Sequence, residues 1–283
     1  MERYPNISDH GLIGDLQTCA LVTSDGTVDF FCCPRFDSPS IFASLLDAER
    51  GGYFSIKPAA DGYVTKQLYL PNTAMLITRF MTPDGVGEVL DFMPVIEGQP
   101  TDRHRLVRHL RVARGTMKFE LEIQPRFNYG RSGHRIEPRE GGAVFLADDG
   151  MRLTLHTAGR EASDGRAAVE QAGNGLRATF EMREGDSGRG LVLESMGGEP
   201  RAMTAAELDQ MADDTAAYWK GWLGRSAYMG RWREMVNRSA MTLKLLTYEP
   251  TGAPVAAATF GCPSRPAASG TGTTASPGSG TGH

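Results

Sequence analysis

Three Asp-Gly pairs, each flanked by short runs of alternating apolar residues, constrain the fold of this chain most strongly. They are Asp25-Gly26, Asp84-Gly85 and Asp149-Gly150. Asp-Gly favours tight turns between antiparallel strands, because glycine adopts a positive φ without steric cost. Each pair therefore predicts a β-hairpin, and a succession of hairpins indicates an antiparallel β fold.

Further strands follow from the same alternation of apolar and polar residues. The run HRLVRHLRVARGTMKFELEIQPRF predicts two longer strands, and RATFEMREG and GLVLES predict the last two of the series. The segment SIFASLLDAERGG predicts a short helix among them. Many short strands joined by tight turns favour an antiparallel β-sandwich over residues 1–200, with a closed barrel as the alternative.

The spacing of apolar residues changes to a helical period near Met203. Thr204 followed by Glu207 forms the sequence pattern of a capping box, which predicts a helix start there and a linker helix within 201–227. A second helix is predicted over 228–248, ending before Pro250. Its apolar stripe is broad, and we therefore expect it to need a large partner surface.

Composition and motifs exclude several classes of function. A net charge of -4 and a pI of about 5.9 give no basic surface for nucleic acid. No apolar run is long enough for a signal peptide or a membrane span. Four cysteines without CxxC or histidine-rich spacing predict buried thiols in a reducing cytoplasm, with no metal site. The segment GLIGD lacks the GxGxxG spacing of a dinucleotide site, and we expect no cofactor.

Several segments resemble glycoside hydrolase family 15, in its bacterial trehalase and glucoamylase-like members. The segments are IGD at 13–15, VDF at 28–30, PRFDSP at 34–39, PRFNYGR at 125–131 and the run WREMVNRSAMTLKLLTYEPTGAPVAAAT at 232–259. Asn128 stands where that family commonly has aspartate. The resemblance implies a β-sandwich followed by an (α/α)6 catalytic barrel, of which residues 228–260 would form the first helix and loop.

The resemblance also implies inverting hydrolysis of an α-glucosidic bond. That chemistry needs a carboxylic acid and a carboxylate about 6.5–9.5 Å apart, with a water between them. In the family both are glutamates that lie on the barrel beyond its first helix, so no catalytic residue is assigned in this chain. We expect an N-terminal fragment that is inactive alone and whose α-glucoside substrate belongs to the full-length parent.

Two other functions stay open at the level of sequence. The chain can be a stand-alone carbohydrate-binding or scaffolding domain, or a subunit that complements a separate catalytic chain. The candidate substrate-binding residues are Arg35 and Asp37 in PRFDSP and Arg126 and Tyr129 in PRFNYGR. For each pair we favour a structural role, as a loop-shaping ion pair and as structural bracing respectively.

Other notable side chains are expected to serve packing or solvation. His104 and His109 lie in an arginine-rich strand and predict a solvated or inter-domain face. Trp219, Trp222 and Trp232 follow helical spacing and predict packing. Because helix 228–248 would expose its apolar side, we expect self-association through it.

The tail GCPSRPAASGTGTTASPGSGTGH at 261–283 departs from the composition of the rest of the chain. Its codons, read in a shifted frame, permit NWDYRFAWVRDGS, which resembles the next segment of the family in the expected place. The sequence therefore predicts a disordered tail and a shift of reading frame near residues 259–261.

Overall fold

The computed structural model describes residues 4–96, 101, 103–159, 170–186 and 189–259. The strands are β1 (His10–Gly14), β2 (Cys19–Thr23), β3 (Thr27–Cys32), β4 (Ser40–Ala43), β5 (Tyr53–Pro58), β6 (Val64–Tyr69), β7 (Leu76–Met81), β8 (Gly85–Phe92), β9 (Arg105–Gln124), β10 (His134–Arg139), β11 (Gly142–Ala147), β12 (Arg152–Ala158), β13 (Glu170–Ala172), β14 (Gly175–Arg183), β15 (Arg189–Ser195), β16 (Thr247–Tyr248) and β17 (Ala253–Pro254). The helices are the single turn α1 (Phe127–Gly130), then α2 (Ala205–Leu223) and α3 (Arg233–Leu245). A 3-10 turn, Ile7–Asp9, precedes β1.

Two antiparallel sheets share the long strand β9. The first sheet has the order β1-β2-β3-β5-β9-β14-β13, with β4 added to β3. The second has the order β6-β7-β8-β9-β15-β12-β11-β10. Their facing sides enclose one hydrophobic core, to which strands of both sheets contribute. The prediction of an antiparallel β-sandwich is confirmed, and the described strands do not close into a barrel.

The prediction of two strands between His104 and Phe127 was wrong, because β9 is a single strand of 20 residues. Its first half pairs with β8 and β15, and its second half pairs with β5 and β14. The strand passes from one sheet to the other near Gly115, which has φ 69° and pairs with Gly85. A side chain at Gly115 would lie 2.1 Å from the carbonyl oxygen of Asp84, so glycine is required there.

The three Asp-Gly pairs from which hairpins were predicted do lie in hairpins. They connect β2 to β3, β7 to β8 and β11 to β12. Gly26 and Gly150 have φ of 84° and 92°, which explains why glycine occupies these two turn positions. The short helix predicted in SIFASLLDAERGG was wrong: its first residues form β4, which pairs with β3 and is fully buried. Burial between neighbouring elements outweighed the local helical pattern.

The two long helices cover the outer face of the second sheet and one end of the sandwich. Helix α2 packs through Leu208 and Ala216 on Phe92, Val107 and Val192 of that sheet. Thr204 caps it, and the reciprocal hydrogen bonds with Glu207 confirm the predicted capping box. The helix predicted over 228–248 is shorter at both ends, because α3 begins at Arg233 and ends at Leu245. The chain turns after Leu245 into the small β16–β17 hairpin.

No helix in the described ranges is both long enough and apolar enough to cross a lipid bilayer. The predicted out-of-frame tail at 261–283 lies outside the described residues, and so does Cys262.

Candidate functional site

The segments that carry the family resemblance meet at one end of the sandwich. The Phe36 N–H donates to the Gln17 carbonyl at 3.1 Å, which joins PRFDSP to the turn after IGD. The Tyr129 N–H donates to Ser40 Oγ at 3.1 Å, which joins PRFNYGR to the residue after PRFDSP. We call this region, formed by residues 13–18, 34–41, 125–131 and 246–258, the motif surface.

The segment after α3 completes the motif surface. The Glu249 N–H donates to the Leu16 carbonyl at 2.9 Å, and the Tyr248 ring meets Phe36 edge-on with centroids 6.4 Å apart. Cys19 Sγ lies 3.8 Å from the Ala258 carbonyl. The chain beyond α3 therefore packs against the turn after IGD and against PRFDSP rather than extending into solvent.

Asp15 is a buried structural carboxylate at the centre of the motif surface. Its Oδ1 accepts hydrogen bonds from the N–H groups of Gln17 and Thr18 at 3.1 and 3.0 Å. Its Oδ2 accepts one from His104 Nδ1 at 2.6 Å. These bonds fix the turn in which Leu16 has φ 73°, a left-handed conformation that costs a non-glycine residue about 1–3 kcal/mol.

The expectation of a solvated or inter-domain face was wrong for His104, which is buried against Asp15. The backbone N–H of His104 donates to Ser195 Oγ at 3.1 Å. His109 does face another element, since its imidazole lies 3.9 Å from Asp209 of α2. Burial lowers the pKa of His109, which favours the neutral imidazole at this contact.

Arg35 and Asp37 form an exposed ion pair with each other. Arg35 donates from Nε and Nη2 to the two carboxylate oxygens at 2.8 and 2.7 Å. Their side chains are 55% and 50% exposed. The hydrogen bond with Asp37 raises the pKa of Arg35. The geometry is that of a loop-shaping pair, and whether either residue contacts substrate stays a prediction.

PRFNYGR forms a left-handed turn that its sequence pattern does not predict. Asn128, Tyr129 and Gly130 have φ of 51°, 56° and 74°. Glycine takes this conformation freely and asparagine often does, but for tyrosine it is strained. The Tyr129 ring packs against the cluster of Phe30, Cys32 and Ala43, so tertiary contacts hold the turn.

Arg126 diverges from Tyr129 and lines a polar cleft beside the motif surface. The cleft has a volume of about 380 Å³. Its wall comes from the start of β5, the end of β9 and the turn between β13 and β14. These segments are far apart in sequence, so no local pattern predicted the cleft. Of the four candidate residues, Arg126 alone is among the residues that line this cleft.

Helix α3 rests on the sandwich by one side only. Met241 and Leu245 pack with Leu16 and Trp219, and Arg238 lies 3.7 Å above the ring of Tyr69. On the other side, apolar side chains face solvent, among them Trp232, Met235 and Leu243, of which Leu243 is 67% exposed. We call these three residues and Met229 the exposed α3 face.

Two of the tryptophans, Trp219 and Trp222, pack against other side chains, whereas Trp232 is exposed to solvent. Trp219 is buried and meets Trp222 edge-on, as predicted for packing residues. Trp232 is instead exposed, with the guanidinium of Arg231 4.7 Å from its ring centroid.

Cys19, Cys32 and Cys33 are buried and form no disulfide. Burial raises the pKa of the Cys19 and Cys33 thiols, which disfavours the reactive thiolate. Among the described residues, no group of three or more His, Cys, Asp or Glu side chains is arranged to hold a metal ion.

Comparison with known proteins agrees with the fold and the motifs. A family model described as "Trehalase-like, N-terminal" matches residues 2–206. Trehalases of Thermoplasma volcanium and Mycolicibacterium smegmatis are each 32% identical, and each match covers 93% of this chain and 41% of the relative. A Mycobacterium tuberculosis trehalase is 30% identical, over 93% of this chain and 40% of its own length.

The chain thus spans about two fifths of the length of the curated relatives that it matches. The family match covers the sandwich from before β1 to the first residues of α2. This chain belongs to the trehalase-like N-terminal family.

Proposed function

We propose that this chain is the non-catalytic N-terminal part of a glycoside hydrolase of family 15. The parent enzyme hydrolyses an α-glucosidic bond, as in trehalose or an α-glucan, with inversion at the anomeric carbon. The observation that carries the proposal is the alignment with trehalases over 93% of this chain but only 41% of the first of them. The rest of the relative's length has the room for a catalytic barrel.

Two carboxylates of the motif surface, those of Asp15 and Asp37, support a structural role for this part. Asp15 accepts from two backbone N–H groups and from His104, and Asp37 is paired with Arg35. An inverting hydrolase needs one carboxylic acid and one carboxylate that both reach the scissile bond. In this proposal that pair comes from the barrel, and the sandwich supplies none of it.

The exposed α3 face is the proposed seat of the barrel. A helix that buries one apolar side and exposes another is typical of a helix between two layers. In the parent enzyme the second layer would be the remaining barrel helices. In the isolated chain the same face is free to contact a second copy, which leads us to propose self-association through it.

Self-association is tested by light scattering after gel filtration, together with binding of a hydrophobic dye. We expect concentration-dependent association of wild-type protein. A Met235→Gln/Leu243→Gln variant should bind less dye and remain monomeric. Ile7→Gln is the matched control, because Ile7 is also exposed but lies at the other end of the chain. A monodisperse wild-type monomer that binds no dye would refute the proposal that the exposed α3 face is an interaction surface.

The proposed compartment is the cytoplasm. The three buried cysteines without a disulfide support this choice, because a reducing environment preserves thiols.

A stand-alone carbohydrate-binding domain is the second candidate. It is favoured by one observation, the polar cleft that Arg126 lines.

A further inference from the structure

The polar cleft is built on the outer face of the first sheet, where β9 lies between β5 and β14. Tyr53 is opposite Gln124, and Glu122 is opposite both Ser55 and Arg177 in the strand register. Directly opposed residues share a face, so Tyr53, Glu122 and Gln124 point to the same side of the sheet. The polar residues that line the cleft include Glu49, Tyr53, Glu122, Gln124, Arg126 and Asn174.

Two glycines keep the cleft and its side chains in place. Gly52 has φ 72°, and a Cβ there would lie 2.3 Å from the Gln124 carbonyl oxygen and 2.8 Å from Arg126 Cγ. A Cβ at Gly175 would lie 2.5 Å from the Gln124 amide. Larger residues at these two positions would displace the groups that line the cleft.

Hydrogen bonds to neighbouring groups orient the side chain of Gln124 in the cleft. Gln124 Nε2 donates to Glu122 Oε1 at 3.2 Å and to the Ala172 carbonyl at 3.0 Å. Both donors of the Gln124 amide are thereby used, and its oxygen remains available as an acceptor. Burial, and after it the neighbouring Glu122 carboxylate, raises the pKa of Tyr53 to about 12. Tyr53 thus stays a neutral phenol whose oxygen can accept a further hydrogen bond.

Arg126 supplies the donors of the cleft. Its Nη1 donates to the Pro125 carbonyl at 2.9 Å, and no ion pair joins it to a carboxylate in the described part of the chain. A guanidinium has five N–H donors, so several remain for a ligand. Arg126, Tyr53 and Gln124 therefore line the same cavity, with donors on the first and acceptors on the other two.

The charge balance of the lining selects the class of ligand. Glu49 disfavours an anion and Arg126 disfavours a cation, whereas the charge of Glu122 is paired with Arg177 at 3.4 Å. A neutral ligand that both donates and accepts hydrogen bonds over short distances can pair with the half-exposed side chains of Tyr53, Gln124 and Arg126. The volume of about 380 Å³ lies in the lower part of the ~300–1,000 Å³ range of small-molecule pockets.

We propose that this cleft binds an uncharged polyhydroxylated molecule of monosaccharide or disaccharide size. Vicinal hydroxyl groups offer the alternating donors and acceptors that Arg126, Gln124 and Tyr53 complement. The inference does not depend on the proposed hydrolase role, because it requires binding and no bond cleavage.

The test is saturation-transfer NMR on the full chain with D-glucose and with trehalose, followed by titration to obtain Kd. Arg126→Gln should raise Kd about tenfold, and Tyr53→Phe about fivefold, as expected for the loss of one or two hydrogen bonds. The matched controls Arg79→Gln and Tyr63→Phe lie outside the lining and should leave Kd unchanged. Thermal unfolding shows whether each variant is folded. If Arg126→Gln is unfolded, the Kd of Tyr53→Phe tests the proposal instead.

Three results would overturn the proposal. One is the absence of saturation transfer to either sugar at tens of millimolar. Another is sugar binding that neither cleft variant weakens. The third is displacement of the sugar by inorganic phosphate, which would make the cleft an anion site. Glucose release by the protein bears on the hydrolase proposal and leaves this one unaffected.

Discussion

Replacing Arg108 with methionine tests how the two sheets are held together. Arg108 lies on β9 with its side chain between the sheets, and neither it nor its partner Asp91 is exposed to solvent at all (0%). Its Nε donates to Asp91 Oδ1 at 2.8 Å, and its Nη1 donates across the core to the Phe54 carbonyl at 2.6 Å. A second such bond, from Nη2, reaches the Gly26 carbonyl at 2.6 Å. One side chain therefore joins the second sheet to a strand and a turn of the first.

The expected loss follows from the charge that the substitution leaves behind. Truncating one partner of a buried ion pair typically costs about 3–5 kcal/mol, because the other charge stays buried without compensation. A domain of ordinary stability has about 5–15 kcal/mol in total, so Arg108→Met should remove a large share of it. Arg79→Met is the matched control. Arg79 pairs with Glu88, whose side chain is only 2% exposed, but Arg79 itself is 41% exposed and Arg111 also contacts Glu88. Because Arg111 stays beside the buried carboxylate, Arg79→Met should lose less free energy of unfolding than Arg108→Met.

The assay is urea unfolding of wild type, both single variants and Asp91→Val/Arg108→Met. The double variant should recover much of the loss, because apolar replacement of a whole buried pair is often neutral or stabilising. Burial already raises the pKa of Asp91, and Arg108 opposes that shift. A raised carboxyl pKa gives stability that is present at low pH and lost as pH rises, so Arg108→Met should be more strongly destabilised at neutral than at acidic pH. Equal losses in Arg108→Met and Arg79→Met would refute the reasoning.

Three further predictions concern the cap of α2, a buried histidine and the coding sequence. Thr204→Ala should lower the free energy of unfolding by about 1 kcal/mol, because Thr204 Oγ1 accepts the Glu207 N–H at 3.2 Å; urea unfolding measures it, and an unchanged value would contradict the cap. His10 places Nδ1 at 2.8 Å from the Asn6 carbonyl and Nε2 at 2.8 Å from Asp29, and the Asp29 hydrogen bond raises the pKa of His10 above 6.5. The stabilisation by protonated His10 is complete below pH 6.5 and is lost as pH rises through the folded-state pKa of His10. Wild type should therefore lose free energy of unfolding over that pH range relative to His10→Gln. Parallel profiles of unfolding free energy against pH for the two proteins would contradict this. Resequencing the gene across codons 255–283 and beyond should restore NWDYRFAWVRDGS after a single-base correction, and an unchanged sequence would reject the predicted frame shift.

The parts of the fold that local sequence could predict are those set by local conformation. Gly26 and Gly150 have positive φ in their turns, and Thr204 and Glu207 form the cap that their spacing predicts. The parts that it could not predict depend on distant partners. Strand β9 continues through Gly115 because both of its halves find strands to pair with, and SIFA is a strand because β3 lies beside it.

The same distinction applies to the site. The motif residues were recognisable, and the pairing of Arg35 with Asp37 follows from their spacing of two along a loop. The left-handed Tyr129 was not predictable, because its conformation is imposed by packing against Phe30 and Cys32. The polar cleft was hidden as well, since Tyr53, Gln124 and Asn174 meet only through the strand order of the first sheet.

The most direct test of the account is the release of glucose from trehalose, maltose and dextrin by the purified chain. A mock purification from cells without the gene controls for contaminating glucosidases. The account predicts no release above the mock, because the acid and the base of the reaction are proposed to lie on the barrel. Turnover above the mock that co-elutes with the protein would contradict it and would place a complete catalytic pair within these 283 residues.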